Sequence, residues 1–424
     1  MSKSGALRSF KHRNFRVLYP ASVVSNIGTW AQRVAQDWLV LELTNSAAAL
    51  GIVTGLQFLP TIFLSLWSGA LADRFSKRKL LMLTAFGGGI TSAVLGLLVI
   101  TRTVMVWEIY VLALLFGIFS AMDAPIRTSF TSELVGKADI ANAVSLNSAN
   151  FNLGRLVGPA LSGFLILLFG TGWSFLVNSV SYILVIVALK RIRHSELHIT
   201  QKPDRGASIK DGLAYVRDNL QVRLVMITVF FSATFGLNFQ IFNALMAKKE
   251  FGLGPAEFGG AGSILAIGSL TAAIVGTRLE ISRTPRRIML GAMGFGLLVA
   301  TLAFAQSYVQ YLVILPFAGA IALTTFIFAN SYIQTTTPSA LRGRVMGIYL
   351  LIFMGGTPIG SPLLGWAAST IGIRPTVFIC GMITTTAALI VFTRLRKAIE
   401  SKRESDAKHN DGDDQVEYAP EDRF

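Results

Sequence analysis

Charged residues and cysteine are both scarce in this sequence of 424 residues. Asp, Glu, Lys and Arg together account for 14% of the chain, whereas soluble globular domains carry about 25%. The single cysteine, Cys380, lies within an apolar run. The chain can therefore form no internal disulfide, and a metal site built from several thiolates is excluded.

Motifs that would indicate an enzyme are also missing. No phosphate-binding loop of the form G-x-x-x-x-G-K-[ST] occurs, so we expect no ATP-driven pumping by this chain alone. All four histidines lie in polar segments, which excludes a histidine relay inside the apolar part: His12, His194, His198 and His409. Because no catalytic constellation stands out, the sequence predicts a protein that is not an enzyme and uses no cofactor or metal.

Long apolar runs dominate what is present. Hydrophobic residues make up 52% of the chain, and runs of roughly 20 residues, each long enough to cross a bilayer as a helix, recur along it. The runs are unbroken rather than alternating, which favours helices over a membrane barrel. The sequence predicts an all-α membrane protein with twelve transmembrane helices, at residues 14–42, 46–72, 79–101, 104–126, 138–168, 171–190, 220–247, 256–279, 286–306, 308–336, 340–369 and 372–395.

The distribution of positive charge predicts the orientation of these helices. Of the 38 Lys and Arg residues, 31 fall in the N-terminus, the loops after even-numbered helices, the middle loop and the tail. The other seven lie in the opposite loops or inside predicted helices: Arg102, Lys248, Lys249 and Arg374, and Arg33, Arg155 and Arg278. Because Lys and Arg concentrate in cytoplasmic loops, we expect both termini in the cytoplasm. Such loops lie near anionic lipid, so we attribute the net charge of +15 to membrane topology and expect no nucleic-acid partner.

Polar segments divide the chain into four parts. We expect a six-helix bundle over residues 1–189, a cytoplasmic middle loop over 190–219, a second six-helix bundle over 220–395 and a charged tail over 396–424. From Glu400 onward the tail carries nine acidic and four basic residues with few large apolar ones. Such a segment buries too little apolar surface to fold, so we expect the tail to be disordered.

An internal repeat relates the two halves at an offset of 207 residues. Residues 69–73 correspond to 276–280, Asp123 to Asn330, Arg127 to Gln334, and residues 134–137 to 341–344. Repeats of this kind predict two pseudo-symmetric bundles with the substrate between them. Because the first half has charges where the second has amides, we expect ion coupling and gating mainly in the first half.

A short basic turn separates the second and third predicted helices. Residues 69–81 read GALADRFSKRKLL and carry five charges within seven positions, which is typical of a cytoplasmic loop. The pattern G-x-L-x-D-R-x-x-x-R-K resembles the signature loop between helices 2 and 3 of the major facilitator superfamily, with Ser76 in place of the usual second glycine. The resemblance implies a transporter built from two six-helix bundles.

The same resemblance implies a gating latch at this turn. In the family, the carboxylate matching Asp73 docks on the start of helix 11, here near Ala340, and the basic residue matching Arg78 pairs with the acid matching Asp123. These contacts form while the cytoplasmic side is closed. The implied latch, with simple topology charge as the alternative, comprises Gly69, Asp73, Arg74, Arg78, Asp123 and Arg127.

Small residues recur in the fifth predicted helix. Gly154, Gly158 and Gly163 allow neighbouring helix backbones to approach closely, and Pro159 permits a kink. Similar glycine–proline spacing marks exporters in the superfamily. A generic packing face accounts for the glycines equally well.

Three charges lie inside predicted helices, where burial is expensive. Arg155 is near the middle of the fifth helix, and Arg33 and Asp37 are one turn apart in the first. We prefer a cluster that faces the transport cavity over a buried structural network in which Arg33 and Asp37 neutralise each other. A buried carboxylate can load and release a proton, so Asp37 is the first candidate for proton coupling and Asp123 the second.

Amide side chains are further candidates for the transport route, although hydrogen bonds between helices explain most such residues in membranes. Together with Arg33 and Arg155, the substrate candidates are Gln57, Asn150, Asn238, Gln240 and Asn243.

Within the superfamily, several short motifs resemble those of one bacterial branch of siderophore and macrolide exporters: residues 25–30 (SNIGTW), 71–74 (LADR), 123–127 (DAPIR), 158–159 (GP) and 341–345 (LRGRV). The resemblance covers about residues 10–395. It implies a monomeric, proton-coupled antiporter in the bacterial plasma membrane that exports a small apolar molecule such as a drug, siderophore or secreted metabolite. The alternatives are a proton-coupled importer and a membrane receptor or scaffold that has lost transport.

Overall fold

The structure is a computed structural model that describes residue 5 and residues 7–198, 209–278 and 283–413. Nearly all of these residues are helical, and this described part contains no β-strand. The predicted all-α class is therefore confirmed.

The first half of the chain forms six long helices: α1 (Arg13–Thr44), α2 (Ala47–Arg74), α3 (Lys77–Ile100), α4 (Val106–Val135), α5 (Ile140–Phe169) and α6 (Thr171–Lys190). Tight turns join them. Between α5 and α6, Gly170 adopts a φ of 88°, a left-handed conformation that glycine takes up without strain.

The second half begins with a short amphipathic helix. Its helices are α7 (Ile209–Asp218), α8 (Leu220–Phe231), α9 (Phe239–Leu245), α10 (Pro255–Arg278), α11 (Pro285–Leu302), α12 (Tyr308–Thr336), α13 (Ser339–Ile371) and α14 (Ile373–Asp413). α8 and α9 belong to one span, which π-helical turns interrupt at Ser232–Gly236 and end at Met246–Glu250. Such turns occur often at functional sites.

Eleven helical segments in the described part of the chain are long and apolar enough to cross a membrane. α1 is not among them, although its 32 residues exceed what a bilayer needs. Polar side chains interrupt its apolar sequence at Gln32, Arg33, Gln36 and Asp37. The chain is a multi-pass helical membrane protein, and the predicted number of twelve spans depends on α1.

Most helices pack on helices of the same half of the chain. In the first half, α1 packs against α5 and α6, α2 against α4, and α3 against α4 and α6. In the second half, α11 packs against α12 and α14, and α10 against α12. Two extensive seams join the halves, one between α2 and α13 and the other between α5 and α10.

Both seams include backbone contacts at one end of the molecule. We call the end at which α1 begins and α2 ends the basic end, and the other the opposite end. Near the opposite end, a Cβ on Gly51 of α2 would overlap the carbonyl oxygen of Ser361 on α13. On the second seam, a Cβ on Gly259 of α10 would overlap the carbonyl oxygen of Pro159 on α5. The absence of side chains at these glycines therefore lets the halves close on each other.

The halves separate toward the basic end. α13 begins there, and a Cβ on Gly343 or Gly347 would meet no described atom within 4 Å. On α5, the ring of Phe151 is 49% exposed. In the described part of the chain, the halves are therefore in contact at the opposite end and apart at the basic end.

The middle loop contains a helix that the sequence did not predict. Residues 190–219 were expected to be polar loop, whereas α7 lies within them and packs on the second half. The hydroxyl of Tyr215 donates to the carbonyl oxygen of Thr336 at 3.1 Å, and Gly212 faces the side chain of Arg344. Residues 199–208 lie outside the described residues.

The expectation of a disordered tail from residue 396 is wrong over its first part. α14 continues without a break to Asp413. Arg396 pairs with Glu400 one turn later, at 2.7 Å. Lys, Arg, Glu and Ala favour helix and support it through such pairs, so the membrane helix extends beyond the apolar run. Residues 414–424 of the expected tail lie outside the described part.

Candidate functional site

A carboxylate is fully buried within the first half. Asp37 on α1 is 0% exposed, and its Oδ1 accepts hydrogen bonds from Thr54 Oγ1 at 3.1 Å and Gln57 Nε2 at 3.2 Å. Its Oδ2 is buried without a hydrogen-bond partner among the described residues. An ionised carboxylate is costly in such a position, and a proton on Oδ2 removes that cost.

Arg33 lies one turn before Asp37 but does not form an ion pair with it. Its guanidinium carbon is 4.4 Å from the ring centroid of Phe58 and 5.2 Å from that of Trp30. Its Nε is buried without a partner in the described part of the chain, and no described carboxylate lies within 4 Å. The mutual neutralisation considered from the sequence is therefore absent as a direct ion pair.

Arg155 on α5 approaches the same tryptophan. Its guanidinium carbon is 5.9 Å from the Trp30 ring centroid, and Phe151 meets that ring edge-on at 5.7 Å. No ion pair joins Arg155 to any described carboxylate, Asp37 included. A cation–π contact contributes about 0.5–2 kcal/mol, whereas taking a charge out of water costs several kcal/mol. The rings alone therefore do not compensate these two cations.

Several amides of the predicted route have atoms available to a ligand. Among the described residues, Gln57 Oε1 and Gln240 Nε2 are buried without hydrogen-bond partners. Two neighbours of Arg33 on α1, Gln32 and Gln36, have one such atom each, Nε2 and Oε1. The sequence singled out Gln57 and Gln240 as substrate candidates.

Two other candidates are occupied by bonds within the second half. Asn238 donates from Nδ2 to the carbonyl oxygen of Thr234 at 2.7 Å and accepts at Oδ1 from Ser361 at 3.0 Å. Asn243 accepts at Oδ1 from the Tyr311 hydroxyl at 2.8 Å. Both amides hold helices together, which is the alternative role considered for them.

The small residues of α5 serve two contacts. Toward α1, a Cβ on Gly154 would overlap Asn26 Nδ2, and one on Gly158 would lie 2.5 Å from the Cβ of Trp30. Asn26 also donates to the carbonyl oxygen of Asn150 at 2.7 Å. The substrate candidate Asn150 therefore also takes part in helix packing.

Toward α10, the same helix forms a seam between the halves. A Cβ on Gly163 would lie 2.9 Å from the Cα of Ala256, and Pro159 meets Gly259 as described above. The glycine–proline pattern therefore lies where the two halves meet.

The second proton candidate is held in an ion pair. Arg127 donates to Asp123 from Nε at 2.7 Å and from Nη2 at 2.9 Å. Thr84 on α3 donates to Asp123 at 3.1 Å, and Arg127 donates to Ser22 on α1 at 2.8 Å. The pair thus connects α4 to α1 and α3.

The implied pairing of Arg78 with Asp123 is absent in this structure. Arg78 donates instead to the carbonyl oxygen of Lys190 at 3.0 Å. In the family this pairing belongs to the state closed at the turn, and the basic end is open here. Lys77, the neighbour of Arg78, pairs with Glu133 at 2.5 Å and so links α3 to α4, which sequence analysis missed.

The rest of the implied latch stays a prediction. Arg74 is exposed, and the side chain of Asp73 lies outside the described residues, as does the surface of Gly69. The docking of Asp73 near Ala340 is therefore untested.

A lysine at the opposite end makes a contact that the sequence did not reveal. Lys248, in the π-helical turn after α9, donates from Nζ to the carbonyl oxygen of Leu41 in the last turn of α1 at 2.8 Å. Its Nζ lies 5.4 Å from the ring centroid of Trp38, which stacks on Phe258 of α10 at 6.1 Å. These contacts join the two halves. Nothing in the sequence pairs Lys248 with a backbone carbonyl 207 residues away.

A second missed cluster lies at the basic end. Asp139, in the short turn before α5, accepts from Lys11 at 2.7 Å and lies 2.8 Å from His12. Arg8 Nε approaches Asp139 Oδ1 to 2.6 Å as an ion pair without hydrogen-bond alignment. The cluster fastens the segment before α1 to the start of α5.

Long apolar helices in two sets, in contact at one end and apart at the other, with charged and amide side chains buried among them, define a membrane transporter. The chain belongs to the transmembrane secretion effector family of the major facilitator superfamily, whose family model matches residues 4–421. The protein is thus a transporter of small molecules rather than an enzyme, as the sequence predicted.

Curated relatives are similar over most of the chain. The staphyloferrin A transporter of Staphylococcus aureus is 25% identical over 391 residues, covering 92% of this chain and 98% of the relative. The multidrug efflux pump Tap of Mycolicibacterium fortuitum is 28% identical over 376 residues, covering 84% and 89%. The enterobactin exporter EntS of Shigella flexneri is 22% identical over 356 residues, covering 84% and 85%. The resemblance to siderophore and drug exporters is confirmed.

Solved structures share the fold. A bacterial homologue of the human lysosomal transporter Spinster, in an inward-facing and unoccupied conformation, has a TM-score of 0.73 at 12% identity and covers 91% of this chain and 98% of its own. The nucleoside transporter NupG has a TM-score of 0.70 at 14% identity and covers 90% and 98%.

Proposed function

We propose that the protein is a proton-coupled exporter, an antiporter of a small molecule such as a drug, a siderophore or a secreted metabolite, in a bacterial plasma membrane. The buried Asp37 carboxylate carries the proposal, because it is a titratable group inside the membrane part with an unpaired oxygen. The names of the relatives, an enterobactin exporter and a multidrug efflux pump among them, support export.

In this proposal α1 is the twelfth span, residues 1–189 and 220–395 form two rocking bundles, and the monomer works alone. The Lys and Arg of the N-terminus and of the α2–α3 turn favour the cytoplasm for the basic end and both termini. The cavity then opens to the cytoplasm in an inward-facing state, from which an exporter would take up its substrate.

Asp37 suits the role of proton carrier better than Asp123. Both oxygens of Asp123 are occupied by charge-assisted hydrogen bonds from Arg127, which are among the strongest in proteins. Asp37 has no described cation within 4 Å. It lies seven residues before the end of α1, so about 10 Å along the helix from the opposite end, where a proton would enter from outside.

The test uses inverted membrane vesicles with an imposed proton gradient. Uptake of a siderophore, a macrolide and a lipophilic cation dye would be followed with and without the gradient. We expect gradient-driven accumulation of at least one compound, and its loss in Asp37→Asn, because an amide cannot exchange a proton. Asp218→Asn, a change of the same kind at an exposed residue of α7, is the matched control and should transport normally.

Other outcomes point to other functions. An unchanged response to the gradient in Asp37→Asn would remove Asp37 from proton coupling. Gradient-driven uptake into right-side-out vesicles would indicate an importer. No flux in either orientation would indicate a receptor or scaffold.

A further inference from the structure

Two arginines in the helices of the first half have no acidic partner among the described residues. Arg127 pairs with a carboxylate, and so does Arg374 at the opposite end. Arg33 and Arg155 form no ion pair there, although each is at least partly buried in its helix packing. The nearest acid along α1, Asp37, has its Oδ1 committed to Thr54 and Gln57. This region therefore carries more positive than negative charge.

Aromatic rings orient both guanidinium groups. The two arginines share Trp30, at 5.2 and 5.9 Å from its ring centroid, and Phe58 lies 4.4 Å from Arg33 on a second side. A guanidinium group that stacks on a ring keeps the N–H donors of its edge free. Arg33 Nε is one such donor that is buried without a partner in the described part. The arrangement presents donors and flat apolar surface together.

We propose that the substrate of this site is an organic anion, with a carboxylate or comparable acidic group bound by Arg33 and Arg155 and a flat ring packed beside Trp30 and Phe151. This inference rests on the proposed transport function and names its substrate class. Arginine and carboxylate match in geometry and form strong, often paired hydrogen bonds. The anion supplies the counter-charge that both cations lack.

The same charges select against lipophilic cations. A cationic drug would add a third positive charge next to Arg33 and Arg155, and repulsion of this kind is an effective basis for specificity. The substrate class is therefore narrower than the small apolar molecule that the family resemblance implies.

The test measures binding directly, with two dyes that share a flat three-ring body and differ in charge. Carboxyfluorescein is anionic and rhodamine 123 is cationic. Each would be titrated with the purified full-length protein in lipid nanodiscs and followed by fluorescence anisotropy. We expect saturable binding of carboxyfluorescein and at least tenfold weaker binding of rhodamine 123. Equal binding of the two dyes, a preference for the cation, or no saturable binding of either would overturn the proposal.

Variants assign the binding to the arginines. Arg155→Gln and Arg33→Gln should each weaken carboxyfluorescein binding about ten- to hundred-fold, as loss of a hydrogen bond to a charged group does. Arg155→Lys keeps the charge but lacks the planar guanidinium group, so its affinity should lie between those of the unaltered protein and Arg155→Gln. Arg102→Gln, the same change at an exposed turn residue, is the control. Undiminished binding in the glutamine variants, with an unchanged gel-filtration profile, would contradict the assignment.

Failure of this inference and failure of the proposed function are distinguishable. Selective binding of the anionic dye without gradient-driven transport in vesicles would support the substrate class and contradict the proton-coupled exporter. Gradient-driven transport of the cationic dye would support the exporter and overturn the substrate class.

Discussion

Asp123 and Arg127 occupy a repeat position that the second half fills with amides. Asn330 and Gln334 are one turn apart, as the charged pair is, and Gln334 Nε2 donates to Asn330 Oδ1 at 2.7 Å. Both halves therefore keep a side-chain bond between successive turns, and only the first half makes it ionic. A side-chain bond at this position can therefore form without charged residues.

Exchanging one member of the Asp123–Arg127 pair should destabilise the protein more than exchanging both. Asp123→Asn leaves Arg127, whose side chain is 22% exposed, without its carboxylate, and should lower the free energy of unfolding by about 1–3 kcal/mol. Asp123→Asn with Arg127→Gln reproduces the amide pair of the second half and should recover most of the loss. Thermal unfolding of the detergent-purified variants measures both. A double variant no more stable than Asp123→Asn alone would contradict this expectation.

Sequence analysis identified Asp37, Arg33 and Arg155 but not their surroundings. Charges within apolar runs are visible in the sequence, because each is expensive there. Their partners are not: Thr54, Phe58 and Trp30 are ordinary membrane-helix residues, and only the packing of α1 against its neighbours places them. The sequence therefore identified the charges inside the helices but not what surrounds them, and the alternative in which Arg33 and Asp37 neutralise each other is absent as a direct ion pair.

At the scale of helices, the spans were predictable and the surface helices were not. The predicted run 46–72 is α2, and 308–336 is α12 with the same bounds, because twenty apolar residues are a strong signal. α7 has only ten residues, and one of its faces is polar and the other apolar. The extension of α14 beyond residue 395 is mostly polar, and Ile399 is its single large apolar residue. Neither has the hydropathy of a span, so both were taken for loop or tail.

The turn between α2 and α3 contains Asp73, whose charge can be tested by substitution. If Asp73 docks on the N-terminus of α13 in the outward-facing state, the helix dipole stabilises its charge by about 0.3–1 kcal/mol, and by more when partly buried. Asp73→Asn keeps the shape and removes the charge. We therefore expect slower transport at unchanged expression, measured in the vesicle assay against Asp218→Asn. Turnover equal to that of the unaltered protein would exclude the latch.

For the whole molecule, contact at one end and separation at the other is the main feature. Besides the two glycine seams, Lys248 joins the halves by its bond to Leu41 in the last turn of α1. A cation is favourable at a helix C-terminus, so this bond stabilises the closed opposite end. It must break when the cavity opens there.

Removing this charge should therefore shift the equilibrium toward opening at the opposite end. Lys248→Gln should weaken closure by about 1 kcal/mol, roughly a fivefold change in population. The readout is the maleimide reactivity of Ala47→Cys, a fully buried position at the start of α2, with Cys380→Ser to remove the native thiol. Lys249→Gln, at the exposed neighbour, is the control. Equal reactivity in the two lysine variants would show that Lys248 does not hold this end closed.

The backbone contacts at Gly51 and Gly259 also affect how well the membrane can hold a proton gradient. Where one backbone lies directly against another, no gap remains for even a single water molecule. Protons cross barriers along chains of water and polar groups, and these two contacts leave no place for such a chain at the points where they occur. In a carrier coupled to protons, they would insulate Asp37 from the outside while the inside is open, so that the membrane does not discharge between one transport cycle and the next.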